Sequence, residues 1–133
     1  MAGTDEPVTG WLARIVRLHD DIIERYGGAK GLLDVRLLEA ALQRPFIGLA
    51  DGTEFFPTDI EKAAALLEGL IAFHAFVDGN KRTATIFTFE FLREQGYALH
   101  PDPAEIPDVA VSIATHDMSL AGVHRWLARI TSR

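Results

Sequence analysis

The stretch from Ala63 to Phe73 constrains the fold of this chain more than any other. Ala63, Ala64, Leu66, Leu67, Leu70, Ile71 and Phe73 leave almost no polar face on a helix, and a helix that is apolar on nearly all sides belongs among other helices. Its start is marked by Thr58-Asp59-Ile60-Glu61. In this capping-box pattern Thr58 accepts from the Glu61 amide and the Glu61 carboxylate reaches back to the Thr58 amide.

The rest of the chain supplies partners for that central helix. Leu12, Ile15, Ile22, Ile23 and Tyr26 recur at helical steps and predict an amphipathic helix from about 11 to 26, closed by Gly27-Gly28. Asp34 is the N-cap of a shorter helix whose inner face is Leu37, Leu38, Ala41 and Leu42 and which ends before Pro45. After a break at Gly79, residues 81–95 return to helical periodicity through Ile86, Phe87, Phe89 and Leu92, with Gly96 as C-cap. Beyond Pro101, Pro103 and Pro107, residues 109–116 and 120–130 form two more helices, the second capped by Ser119. No sustained strand-like alternation occurs. The expectation is all-α: one domain over 1–133, a compact bundle of about six helices, with residues 1–9 a flexible start. The segment 46–56 reads as an apolar loop, either tucked onto its own core or kept for a partner.

Composition removes several functions. With 133 residues, 48% of them apolar, the chain can bury a single core and is not disordered as a whole. Its net charge of −6 and lack of a basic stripe argue against nucleic acid and acidic membranes as partners. The absence of cysteine excludes disulfides, thiolate metal sites and a cysteine nucleophile. The N-terminus lacks the basic and apolar regions of a signal peptide, and no apolar run approaches the roughly 18 residues of a membrane span, so the expected location is the cytoplasm.

No Walker A loop, dinucleotide-binding glycine pattern, HExxH or GxSxG occurs. What remains is one polar constellation between the two most apolar helices, His74-Ala75-Phe76-Val77-Asp78-Gly79-Asn80-Lys81-Arg82-Thr83-Ala84. If Gly79 and Asn80 form the turn that opens the next helix, its free N–H groups and about half a positive charge of macrodipole make an anion site. Lys81 and Arg82 in that first turn oppose the dipole by roughly 0.3–1 kcal/mol each, which a bound anion offsets. Arg82 can grip a phosphate with two prongs, Lys81 as a point charge and Asn80 as a neutral donor. His74 reads either as a buried core histidine or as a general base on an incoming hydroxyl. Asp78 can ligate Mg²⁺ bridging phosphate oxygens. Together the parts describe phosphoryl or nucleotidyl transfer.

The run 74–84 resembles the Fic/Doc motif, H-x-F-x-[DE]-[AG]-N-[GK]-R, in its Doc form, with every fixed position present. Leu18-His19-Asp20, Arg25-Tyr26-Gly27-Gly28 and Phe91-Leu92-Arg93 through Gly96 extend the likeness to about residues 11–130. Lys81 stands where AMP-transferring members have glycine, and Thr85 where they have a second arginine. The resemblance implies an inverted ATP that presents its γ-phosphate, and hence a toxin kinase acting on a protein threonine, with elongation factor Tu as target. By position it implies His74 as base, Asp78 as ligand of Mg²⁺ or guide of the hydroxyl, and Gly79, Asn80, Lys81 and Arg82 as holders of the ATP phosphates. Gly79, where Doc members tend to have alanine, is the Fic-like choice. No [ST]-x-x-x-E-[GN] inhibitory stretch is present, so the resemblance places inhibition in another chain, a Phd-type antitoxin whose C-terminal segment folds as a helix into the toxin. The first helix and the loop 46–56 are candidate surfaces for it. Two alternatives stand beside this reading: an AMP transferase of the same fold, and a catalytically silent antitoxin-binding module. His19 is assigned a structural role, His100, His116 and His124 none, and Trp11 and Trp126 are expected in the core with their indole N–H groups satisfied.

Overall fold

In the computed structural model the backbone is described for residues 2–133 and the side chains from Thr9 onward. Of the expected flexible start at 1–9, residue 1 and the side chains of residues 2–8 lie outside the described residues. Six helices follow in order: α1 (Ala2–Tyr26), α2 (Val35–Gln43), α3 (Asp59–Ala72), α4 (Asn80–Glu94), α5 (Glu105–Ala114) and α6 (Leu120–Ile130). A 3-10 turn, Arg44–Phe46, extends α2 past Pro45.

The central helix is α3, which packs against α2, α4, α5 and α6. Residues 63–67 and 69–71 are all buried, as the pattern requires. Gly69 admits the Arg44 side chain and the α2 backbone at Ala41 against the helix. The cap at its start differs in one detail from the expected box. Thr58 Oγ1 accepts from the Glu61 amide at 3.2 Å, but the Glu61 carboxylate takes the Thr58 hydroxyl at 2.8 Å instead of the Thr58 amide.

One core cluster joins the helices. Phe87 of α4 is fully buried and meets Trp11 of α1 edge-on, ring centroids 5.3 Å apart. Phe46 packs on the same indole at 5.5 Å, whereas Ile47, Leu49 and Phe55 remain exposed. The apolar loop 46–56 is thus only partly tucked onto the core, and a Gly48↔Glu54 bridge turns it into a short hairpin.

The Asp34 and Ser119 caps form as expected: Asp34 accepts from the Arg36 and Leu37 amides, and Ser119 from Gly122. Leu37, assigned to the inner face of α2, is exposed, because Leu38, Ala41 and Leu42 already fill that face. α5 begins four residues earlier than its apolar periodicity suggests. Pro107 stands in its first turn, where a missing N–H leaves nothing unpaired. The helix ends before His116, whose φ is +63°. Two strands absent from the expectation, β1 (Ala98–Leu99) and β2 (Thr131–Ser132), pair antiparallel and tie the chain's end to the exit of α4. Trp126 is buried as expected, but its Nε1–H has no partner among the described residues.

Candidate active site

The site begins with how α3 stops. The helix ends at Ala72, and two residues later His74 adopts φ +51°, a left-handed conformation rare outside glycine. That reversal sends Ala75–Val77 alongside Gly31–Leu33: the Leu33 amide donates to Ala75 O at 2.7 Å and the Val77 amide to Gly31 O at 3.0 Å. His74 is exposed, so the reading of it as a buried core histidine does not hold.

Gly79 then turns the chain into α4. Its φ is +78°, and a Cβ there would lie 3.1 Å from Ile23 Cδ1 and 3.5 Å from the His19 ring, so glycine serves both the turn and the close approach of α1. Asn80, the first residue of α4, is buried, and its carboxamide is engaged at both ends by one residue: the Phe76 amide donates to Oδ1 at 3.0 Å, and Nδ2 donates to Phe76 O at 2.8 Å. These bonds close the loop 76–80 on itself. Asn80 therefore faces the cavity chiefly with its backbone. Gly79 provides no side-chain cap, so the first N–H groups of α4 lack intrahelical partners.

α1 holds this loop from below. The buried His19 imidazole stacks on the Phe76 ring at 3.8 Å between centroids, 8° from parallel. Its Nε2 lies 2.8 Å from Asp78 O and its Nδ1 3.2 Å from Asp20 Oδ1, in keeping with the structural role expected of it. Asp78 Oδ2 accepts the Ala29 amide at 3.0 Å. The chain passes close enough for this because Gly28, at φ +118°, would bring a Cβ within 3.2 Å of that same oxygen.

A cavity of about 470 Å³ opens at this junction. Its polar end is formed by His74, Asp78, Gly79, Asn80, Lys81 and Arg82, so all six sequence-predicted site residues line one space. Its far wall is apolar, from Ile86 and Phe89 of α4 to Ile106, Ala110 and Val111 of α5. Lys81 and Arg82 are exposed, and among the described residues neither has an ion-pair partner. Thr85 also lines the cavity but turns its hydroxyl back to Lys81 O at 2.8 Å, adding no charge.

Tyr26, like Leu37, is not where its helical spacing puts it. Read as part of the inner face of α1, it is 56% exposed, and its ring lies under the Arg82 guanidinium, 3.9 Å from centroid to Cζ. Helical spacing assigns a tyrosine to the apolar face whether it packs inward or carries a cation. Its place beside Gly27-Gly28 was the only available signal.

Among the described residues no three His, Asp or Glu side chains come together as a resident metal site. Among the described residues Asp78 is the carboxylate that lines the cavity, which fits a divalent ion held mainly by the phosphates of a nucleotide. Among the described residues no helix is long and apolar enough to cross a membrane.

Compared with known proteins, residues 8–92 match the model of the Fic/DOC family. The Toxin Doc of Mycolicibacterium smegmatis is 38% identical over 105 residues, 77% of this chain and 80% of the relative. The Protein kinase doc of Escherichia phage P1 is 35% identical over 118 residues, 87% of this chain and 90% of the relative.

Proposed function

Because the chain belongs to the Fic/DOC family, we propose that it is a toxin kinase that transfers the γ-phosphate of ATP to a threonine of a translation protein, elongation factor Tu, and is neutralised by a cognate Phd-like antitoxin. The observation that carries this reading is the cavity's polar end: an exposed histidine beside a helix N-terminus, a lysine and an arginine, neither cation engaged by a carboxylate among the described residues. A site so built favours a polyanion and leaves a base next to it. The relative named as a protein kinase supports phosphoryl over nucleotidyl transfer, as does Lys81. Thr85, with its hydroxyl bonded to Lys81 O, supplies no second arginine.

In this reading the His74 imidazole takes the proton of the threonine hydroxyl as its oxygen bonds to the γ-phosphorus. The bond from that phosphorus to the β,γ-bridging oxygen breaks, and ADP leaves. Arg82 and Lys81, with the first N–H groups of α4, hold the phosphate oxygens and meet the charge that builds on them. Among the described residues Asp78 is the carboxylate at the cavity that would hold Mg²⁺, which when bound neutralises phosphate charge. The protein acts in the cytoplasm, where both ATP and the translation machinery are found.

The test incubates the purified chain with Mg²⁺ and elongation factor Tu, with ATP labelled at either the γ- or the α-phosphate. Label from γ alone, lost in His74→Ala, is the expected result. Label from α would make the protein an AMP transferase. No label from either would rule out elongation factor Tu as the substrate, and no label on any protein of a whole lysate would mark a silent binding module. Because His74 is exposed, His74→Ala should melt within about 2 °C of the parent, which separates lost chemistry from lost fold.

A further inference from the structure

Arg82 sits in a poor environment for a working cation: an exposed position in the first turn of α4, beside the positive end of the helix dipole, with no carboxylate to hold it among the described residues. An arginine of this kind samples many rotamers, and ordering it on a ligand costs roughly 1.5–2 kcal/mol. Tyr26 changes that. Its ring lies 3.9 Å from Arg82 Cζ, well inside the distance at which a guanidinium is held by the negative face of an aromatic ring. A guanidinium held by its face keeps its N–H edge free, and that edge grips phosphate oxygens two at a time.

The backbone that carries the ring is itself tied down. Tyr26 ends α1, where the Gly27 amide donates to Ile23 O at 2.8 Å. Three residues on, the Ala29 amide donates to Asp78, and beyond that Gly31 and Leu33 pair with Val77 and Ala75. The segment 26–33 is thus tied to the motif loop at its middle and far end, and Tyr26 at its near end carries Arg82. Burial does not account for the tyrosine, which is more than half exposed.

We infer that Tyr26 is a positioning residue for phosphate binding: it presents the Arg82 guanidinium edge-on to the cavity before the ligand arrives. This rests on the cavity being a polyphosphate site, and it adds a residue outside the 74–84 motif to that site. It acts by lowering the ordering cost of binding, with no contact of its own to the phosphates.

The test measures tripolyphosphate binding to the full chain by calorimetry, for the parent, Tyr26→Leu, Tyr26→Phe, Arg82→Ala and the double variant Tyr26→Leu/Arg82→Ala. Tyr26→Leu should weaken binding about threefold to tenfold, and Tyr26→Phe, which keeps the ring, should stay within about twofold of the parent. Arg82→Ala should weaken binding more, and Tyr26→Leu should then have no further effect, because the tyrosine works through the arginine. The inference is overturned if Tyr26→Leu binds like the parent, if its loss persists in the absence of Arg82, or if Tyr26→Phe is as weak as Tyr26→Leu. Failure of the parent to bind tripolyphosphate overturns the phosphate-site reading and this inference with it. Binding by a parent that Tyr26→Leu does not weaken overturns the positioning role alone.

Discussion

Asn80→Ala separates two accounts of the residue that opens α4. If Asn80 serves mainly as a donor to a bound phosphate, its removal from the free protein should be nearly neutral, since alanine is the better helix former by several tenths of a kcal/mol. The structure gives a different magnitude. The carboxamide satisfies both the N–H and the C=O of Phe76, at 3.0 and 2.8 Å, in a residue that is 3% exposed. Truncation orphans both groups, and each buried orphan costs about 1–3 kcal/mol. Asp78 nearby is exposed, so water reaches part of the loop and holds the total to about 2–4 kcal/mol. For a chain of this length that is a fall of roughly 10 °C in the melting temperature. Urea unfolding of the ligand-free protein, followed by circular dichroism, measures it directly. A loss below about 1 kcal/mol with an unchanged urea dependence would refute the loop-closing role. Asn80→Asp sharpens the comparison, because the introduced carboxylate still accepts from Phe76 N–H but faces Phe76 O without a proton. The variant should therefore recover only part of the stability that Asn80→Ala loses.

Thr88 is fully buried and its hydroxyl has no partner among the described residues, so Thr88→Val, which keeps the shape and removes the orphan, should stabilise the protein by about 1 kcal/mol. Destabilisation on thermal melting would mean that the hydroxyl has a partner after all. Gly79→Ala puts a Cβ on a residue at φ +78°, 3.1 Å from the movable end of Ile23, and should cost about 1–2 kcal/mol in the same assay. A neutral result would show that the loop relaxes away from α1. Asp51 is held below the ordinary aspartate value by the Thr53 backbone N–H. A lowered folded-state pKa means that this contact supports the turn above about pH 4 and fades as the pH falls. An NMR titration should find Asp51 among the more acidic aspartates, and an ordinary value would refute the contact.

The amino-acid sequence by itself determined the helical class, the order of the six helices, and α3 as the central one, because these follow from periodicity and caps that act within a few residues of one another. The apolar run 63–73, Asp34, Thr58 and Ser119 each carry their own local instruction. The run 74–84 likewise marked out the candidate site, since the five polar residues it named and Gly79 line one cavity. What the sequence did not decide is how that run is held. His19 stacks on Phe76 across 57 positions of chain, Ala29 reaches Asp78 across 49, and Tyr26 supports Arg82 from the end of another helix. Those contacts exist only after α1 has packed beside α4, and nothing in the spacing of a tyrosine or a histidine records which distant loop it will meet. Leu37 and the divided loop 46–56 show the same limit. An apolar side chain states that it prefers burial, but whether a neighbouring surface is there to bury it is settled only in three dimensions.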